Sequence, residues 1–467
     1  MKKFLSLFLA ALLTMLIFAG CGADETAENS TSETVSEESS ETASVSSKNK
    51  SSSKNKSSSS KKKKSSSKNK PSSEEDYEYD FDTEFEYEVF YTEEEKVYYG
   101  IDSDIYKIGL KNKGNSARIA ALMKKAQKGG SYKIAVLGGS ISRGAKSSNQ
   151  SKCYGNLVCE WWKNNFPKAN FKFVNAGFGS TNPEMACYRM NEDLLKQKPD
   201  FVVVDFTVNT YLDYDVYNTY STILYNILSQ SNSPAVMSID FTNCVRSKYE
   251  GYPRVCEKPS GVLNIDITRA VEDYNIPAMS YHNYIWKKIE DGIITWDNIG
   301  SDYIHPNDNG HIAAASLITA HLDEVLKNLK KYSGKITAPK KPSTSQYLNL
   351  DYIINTAKGV SMSGGFSKRS NDFADGKGWE YTATTKESKL TIPVPANKNV
   401  KVFMKFEGGS EGSITVTDAE GNVRNIINSN AASTPTLVDV GAISGKITLT
   451  PNMTNGKFEI YGIGIQK

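Results

Sequence analysis

Ser140 lies in the run Gly138-Gly139-Ser140-Ile141-Ser142, and His305 follows Asp302 by three residues in Asp302-Tyr303-Ile304-His305-Pro306. Two further blocks stand between them, Asn175-Ala176-Gly177-Phe178-Gly179-Ser180-Thr181 and Phe206-Thr207-Val208-Asn209. They add two candidate oxyanion donors, the backbone N–H of Gly179 and the side-chain amide of Asn209. A serine hydroxyl needs an adjacent base before it attacks, and a histidine needs a carboxylate to hold its tautomer. Together these residue types are the inventory for acyl transfer from an ester.

Each block closes an apolar run or occupies the loop after it, and open α/β sheets build their sites at that edge. Strands are expected at 132–137, 171–174, 201–204, 235–239 and 278–280. The continuous run Phe201-Val202-Val203-Val204 is the mark of a parallel sheet covered on both faces. Helix-period segments are expected at 118–128, 157–166, 217–228, 264–274 and 309–330, and Asn182-Pro183-Glu184 opens one more with Asn182 as N-cap. The region from about 100 to 332 therefore reads as a three-layer α/β/α domain with a parallel central sheet.

The four blocks resemble those of the SGNH, or GDSL-like, hydrolases, over residues 100–332. Gly139-Ser140-Ile141 stands where that family has Gly-Asp-Ser, with Gly139 in place of the aspartate, as in an exported subgroup reading Gly-Gly-Ser-Ile. The resemblance implies Ser140 as nucleophile, His305 as base and Asp302 as its carboxylate. It also implies an oxyanion hole from the N–H groups of Ser140 and Gly179 and the amide of Asn209. The family usually follows that asparagine with aspartate, where this chain has Thr210. An acyl-serine intermediate, then attack by water deprotonated by His305, needs neither metal nor organic cofactor.

Duller readings accompany these residues. Ser140 could be a helix N-cap and Asn209 a turn residue. His311 is a rival base, but it sits within the start of the final helix, and with His321 it reads as a structural helix residue. His282 reads as a surface or packing histidine; Asp205, Asp213 and Asp308 read as strand-end or capping residues. Arg143, Tyr154, Tyr249 and Tyr252 are candidates for shaping an acyl or sugar pocket.

Residues 1–21 have the form of an export signal: Lys2 and Lys3, an apolar stretch, then Phe18-Ala19-Gly20-Cys21, which resembles a bacterial lipobox with phenylalanine where leucine is usual. The expected outcome is lipidation at Cys21 and a membrane anchor on the outer face of the cell; an ordinary cleaved signal is the alternative. Residues 22–73 are Ser, Lys, Glu, Thr and Asn with almost nothing apolar, the composition of a disordered linker with an r.m.s. span of roughly 40 Å. From 74 to 99, Tyr77, Tyr79, Phe81, Phe85, Tyr87 and Val89 alternate with acids, which is strand patterning. Net charge is only +3, with the lysines concentrated in the linker, so nucleic-acid binding has no support. Of six cysteines, the five beyond Cys21 leave at least one free thiol, and Cys244 and Cys256 bracket a loop that a disulfide could close. With four histidines and no metal-ligand spacing, no metal site is expected.

Residues 333–346, with Pro339 and Pro342, form a connector. Beyond it, short apolar runs at 389–394, 400–406, 413–417, 423–427, 436–440, 446–450 and 458–465 are separated by turn signals, which argues for a β-sandwich or jelly roll over 347–467. Phe373, Trp379 and Tyr381 could form a sugar-stacking platform or pack a core. The sequence thus favours a tethered serine ester hydrolase removing small acyl groups, acetyl above all, from polysaccharide. A lipid or thioester hydrolase, an acyltransferase on cell-wall sugar, and a non-catalytic sugar binder are its rivals.

Overall fold

The computed structural model describes residues 103–466, apart from 211–214, 252–254, 260–264 and 371–373. Cys21, the linker and the acidic–aromatic segment lie outside the described residues, as do Asp213, Tyr252 and Phe373. The first part begins with α1 (Ile105–Gly109) and β1 (Leu110–Asn112). It continues through α2 (Ala117–Ala126), β2 (Gly130–Gly138), α3 (Ser140–Arg143), α4 (Tyr154–Asn165), β3 (Ala169–Gly177), α5 (Pro183–Asp193) and β4 (Phe201–Asp205). There follow α6 (Val216–Leu228), β5 (Ala235–Asp240), α7 (Arg246–Tyr249), α8 (Ile265–Asp273), β6 (Ala278–Ser280), α9 (Tyr281–Glu290), α10 (Trp296–Ile299), α11 (Asp308–Lys327) and α12 (Leu329–Tyr332).

The strands form one sheet in the order β1-β6-β5-β4-β2-β3. Strands β2 to β6 run parallel, and β1 pairs with β6 antiparallel. That edge strand is three residues long, too short to leave a sequence period. The all-apolar run in β4 is explained by its two faces. Phe201 and Val203 pack with Trp162 of α4 and Leu317 of α11, while Val202 and Val204 pack with Met190 of α5 and Tyr220 of α6. Helices therefore cover both sides, giving the three layers. The chain leaves β2 for β3 on one side and then crosses to β4 on the other, so a crevice opens between the C-terminal ends of β2 and β4.

Local signals place the helices as the residues suggest. Asn182 caps α5, accepting from Met185 N at 2.9 Å, and Pro183 occupies the first helical position. Ser140 is itself the first residue of α3 rather than its N-cap, which is Gly139. Asn307, not Asp308, caps α11; Asp308 instead accepts from the backbone N–H and hydroxyl of Ser148, both at 2.7 Å. Cys244 and Cys256 form a disulfide, leaving Cys153, Cys159 and Cys187 as buried thiols.

The second part contains β7 (Leu350–Ile353), β8 (Ser361–Ser363), β9 (Phe366–Lys368), β10 (Trp379–Thr382), β11 (Lys389–Pro393), β12 (Lys398–Phe406) and β13 (Glu411–Thr417). After these come β14 (Val423–Asn428), β15 (Thr436–Ile443), β16 (Lys446–Asn455) and β17 (Lys457–Gln466). They make two antiparallel sheets: β15-β12-β17-β10-β9 with β7 also on β17, and β14-β13-β16-β11-β8. Trp379 and Tyr381 are buried in the core between the sheets, so they form no sugar platform. Strands β7 to β10 carry three or four residues each and escape any periodic reading.

Both parts belong to one compact unit. Along β12, Val400, Val402, Met404 and Phe406 face the sandwich core, while Phe403 points the other way. Phe403 and Tyr461 of β17 are buried there against Phe178 and Met185 of the α/β part. Lys401 reaches Glu184 of α5 at 2.6 Å on this same face. Gly464 lets the ring of Tyr188 lie on β17, since a Cβ there would be 2.7 Å from Tyr188 Cδ1. Tyr347 and Leu350, just past the proline-containing connector, also pack into the α/β core.

His311 shows how burial holds a histidine neutral. It is fully buried on α11, its Nδ1 accepting from Tyr154 N at 3.4 Å and its Nε2 facing Ala145 O at 3.2 Å. Burial pulls its pKa down from 6.5 to about 4. The unfolded ring takes a proton that the folded ring refuses, so stability falls as pH drops from about 6.5 toward 4. His311→Asn should flatten that acid loss by up to about 3 kcal/mol, with His282 and His321, also lowered to about 4, retaining their share. Urea unfolding at pH 4.5 and 7 checks this; an unchanged difference between the two would assign the loss elsewhere.

Candidate active site

Strand β2 ends at Gly138, and the chain turns through Gly139 into α3, which puts Ser140 at the mouth of the crevice. The turn is tight. A Cβ on Gly139 would lie 2.2 Å from Asn209 Oδ1, and one on Gly177 would lie 2.2 Å from Arg143 N. Glycine at 139 is therefore what lets the Asn209 amide rest against the residue preceding Ser140; an aspartate in that position would meet it.

His305 sits in a loop pinned from several directions. Gly300 and Pro306 form an antiparallel bridge, and Ser301 N donates to His305 O at 2.8 Å. Trp296 Nε1 donates to Asp302 O at 2.7 Å, and Cys244 N donates to Tyr303 O at 2.7 Å. The disulfide-closed loop thus braces the segment that carries the imidazole. Within it, Asp302 Oδ1 accepts the backbone N–H groups of Ile304 and His305 at 2.8 and 2.7 Å, and Oδ2 meets His305 Nδ1 at 2.8 Å. Burial pushes the Asp302 carboxyl up, but hydrogen bonds from the His305 ring and these two N–H groups outweigh it and hold the pKa below the ordinary value. An ionised carboxylate places the imidazole proton on Nδ1, leaving the Nε2 lone pair toward Ser140 Oγ, 2.9 Å away.

The structure brings Ser140, His305 and Asp302 into one hydrogen-bonded line across 165 positions of sequence. Asn209 ends a short 3-10 turn after β4, is buried, and its Oδ1 has no hydrogen-bond partner. Gly179 follows β3; its loop is tied to the end of β2 by Phe178 N donating to Gly138 O at 3.0 Å. A Cβ on Gly179 would touch nothing within 4 Å, so its backbone borders open space.

The remaining candidates fall outside this line. His282 is held by Thr242 Oγ1 at 2.8 Å, and His321 by Ser116 Oγ at 2.8 Å. Tyr154 is fully buried with its hydroxyl 2.7 Å from Ser142 Oγ, so it lies beneath the Ser140 turn rather than on an open pocket wall. Tyr249 packs beside Tyr303, their ring centroids 6.4 Å apart. Asp205 does more than end a strand. Its Oδ2 accepts from Ser142 Oγ at 3.2 Å and its Oδ1 from Thr207 N at 3.4 Å, so it links the Ser140 turn to the Asn209 turn. Burial pushes its pKa up to about 7. Among the described residues, no group of three or more His, Cys, Asp and Glu side chains could hold a metal ion.

Arg189 went unnoticed in the sequence because a charged residue within a helix reads as surface. It is fully buried and donates to Gly138 O at 3.0 Å and Ala176 O at 2.8 Å. The only sequence cue was its place one turn ahead of Asp193, with which it pairs at 3.0 Å.

No protein-family model matches the chain, and no curated protein matches it. Among solved structures it is similar to a two-domain esterase (CEX) active on acetylated mannans and co-crystallised with mannopentaose. Identity is 26% and the TM-score 0.61, over 78% of this chain and 98% of that one. A second structure of a two-domain esterase (CEX) active on acetylated mannans gives 25% identity and a TM-score of 0.61 over the same shares. A match of that extent takes in the sandwich as well as the α/β part, so the two-part esterase fold is shared.

Gly139→Ala should fold with a cost of about 1–3 kcal/mol and rotate the Asn209 amide away from residue 139. A crystal structure of the variant checks this; an unmoved Asn209 would refute the close-packing argument.

Proposed function

We propose that this protein is a serine carboxylic ester hydrolase of the SGNH type that removes acetyl groups from polysaccharide. The observation that carries the reading is the line from Asp302 through His305 to Ser140 Oγ, with contacts of 2.8 and 2.9 Å. In this mechanism His305 Nε2 takes the hydroxyl proton as Ser140 Oγ attacks the acetyl carbonyl carbon. The carbonyl oxygen becomes an oxyanion facing the N–H groups of Ser140 and Gly179 and the Asn209 amide. The tetrahedral species collapses, His305 returns the proton to the departing sugar oxygen, and acetyl-Ser140 remains. Water, deprotonated by His305, then attacks the acyl-enzyme and acetate leaves.

The activity of the two-domain neighbour on acetylated mannans supports a polysaccharide substrate and makes acetylated mannan the first to test. We also assign the chain to the outer face of a bacterial membrane, anchored through lipid on Cys21. The Phe18-Ala19-Gly20-Cys21 run supports this, and the Cys244–Cys256 disulfide suits an oxidising compartment.

Ser140→Ala should abolish acetate release from acetylated mannan and hydrolysis of p-nitrophenyl acetate while melting like the parent. Asn209→Ala should lower kcat by about 10²–10³-fold. Acetate assays on acetylated mannan, xylan, pectin and peptidoglycan check both; full activity without Ser140 would exclude the acyl-serine route. Cys21→Ser, expressed in a bacterial host, should move the protein from the membrane to the soluble exported fraction and abolish palmitate labelling. Labelling that persists would place the lipid elsewhere.

A further inference from the structure

The loop carrying Gly179 is tied to the end of β2 through Phe178 N, which donates to Gly138 O at 3.0 Å. Thr181 Oγ1 donates to Phe178 O at 2.8 Å, and Ser180 takes a left-handed conformation with φ of 57°. What lies behind the loop is Arg189. One nitrogen, Nη2, donates to Gly138 O at 3.0 Å and to Thr181 Oγ1 at 3.2 Å; the other, Nη1, donates to Ala176 O at 2.8 Å. A rigid guanidinium fork thus spans the last turns of β2 and β3, just before Ser140 and Gly179. It also lies 5.4 Å from the Phe178 ring centroid.

Arg189 is positioned in turn by the sandwich, along two routes. Asp193 Oδ2 holds Arg189 Nη1 at 3.0 Å, and Lys377, which follows β9 in the sandwich, holds Asp193 Oδ1 at 2.9 Å. Arg189 and Asp193 are 0% and 2% exposed at the side chain, so the second carboxylate oxygen relies on Lys377 as its partner in the folded chain. The other route is aromatic. Phe178 meets Tyr461 edge-on at 4.8 Å and Phe403 at 5.2 Å between centroids. Phe178 is the residue immediately before Gly179, and both partners stand on the outward face of the β12–β17 sheet.

We infer that the β-sandwich is a built-in brace for the oxyanion side of the active site, with Lys377 and Phe403 as positioning residues that act through Arg189 and Phe178. This rests on the reading of Gly179 as an oxyanion donor. Loss of Lys377 strands a buried carboxylate oxygen, which drags Asp193 and then the guanidinium fork away from the two strand ends. Loss of Phe403 opens space beside Phe178. Either change shifts the Gly179 N–H while leaving His305 and Asp302 in place.

The test uses the full chain with Lys377→Met and Phe403→Leu, which remove the two contacts, and Lys377→Arg, which keeps the charge. Amide hydrogen exchange is followed at residues 177–181, and kinetics on p-nitrophenyl acetate, which has no sugar for the sandwich to bind. Lys377→Met and Phe403→Leu should quicken exchange at these amides. Both should lower kcat by about 10–100-fold with KM and the pH profile unchanged, and Lys377→Arg should restore most of both. Exchange at 177–181 equal to the parent's in Lys377→Met and Phe403→Leu overturns the inference, whatever turnover does. A parent protein without ester hydrolysis, whose variants still loosen these amides, sinks the esterase reading and leaves the brace standing.

Discussion

A parallel sheet gives its loops one edge at which to meet, and in this protein the meeting point is the crossover between β2 and β4. The chain turns outward to β3 and then returns past β2 to β4, so the loops after these three strands converge. The contact between His305 Nε2 and Ser140 Oγ depends on that convergence. Ser140 comes from the turn after β2, while His305 comes from a loop held in register by the cap of α11, the Gly300–Pro306 bridge and the bonds that Trp296 and Cys244 donate to its carbonyls. If these supports moved, the imidazole would lose its contact with the Ser140 hydroxyl.

The polar groups beneath this edge are costly to bury, and each is kept by having several partners. Asp205 links two turns, Arg189 links two strand ends, and His311 links the start of α11 to the segments around Ala145 and Tyr154. Their common property is reach: each joins segments far apart in sequence that must stay aligned to a fraction of an ångström. An apolar side chain could fill the same volume, but it could not specify which carbonyl or hydroxyl stands where.

The sandwich extends the same logic. Its outward sheet face carries Phe403 and Tyr461, aromatic side chains where a solvated face would be polar, and glycines at 462 and 464 that let tyrosine rings lie flat on the strand. Such a face is built to be covered, and the α/β part covers it beside the Gly179 loop. The two parts therefore share a boundary beside the ends of β2 and β3.

Much of this was legible in the residues themselves. The apolar run at 201–204, the Asn182-Pro183 cap and the turn signals around the later strands report short-range constraints, because period, capping and φ preferences act within a few positions. The four blocks were legible for a similar reason: an acid three residues before a histidine, or paired glycines after a strand, is a local pattern. Tertiary structure alone decided the rest. Arg189 reads as a surface residue until its helix is seen backing the strand ends, and Trp379 and Tyr381 fit either a sugar platform or a core until two sheets close over them. Glycine at 139 looks like a gap in a motif until Asn209 is found occupying the space a side chain would need. Burial and hydrogen-bond partnership are properties of pairs of distant segments, and no window along a single chain contains both members.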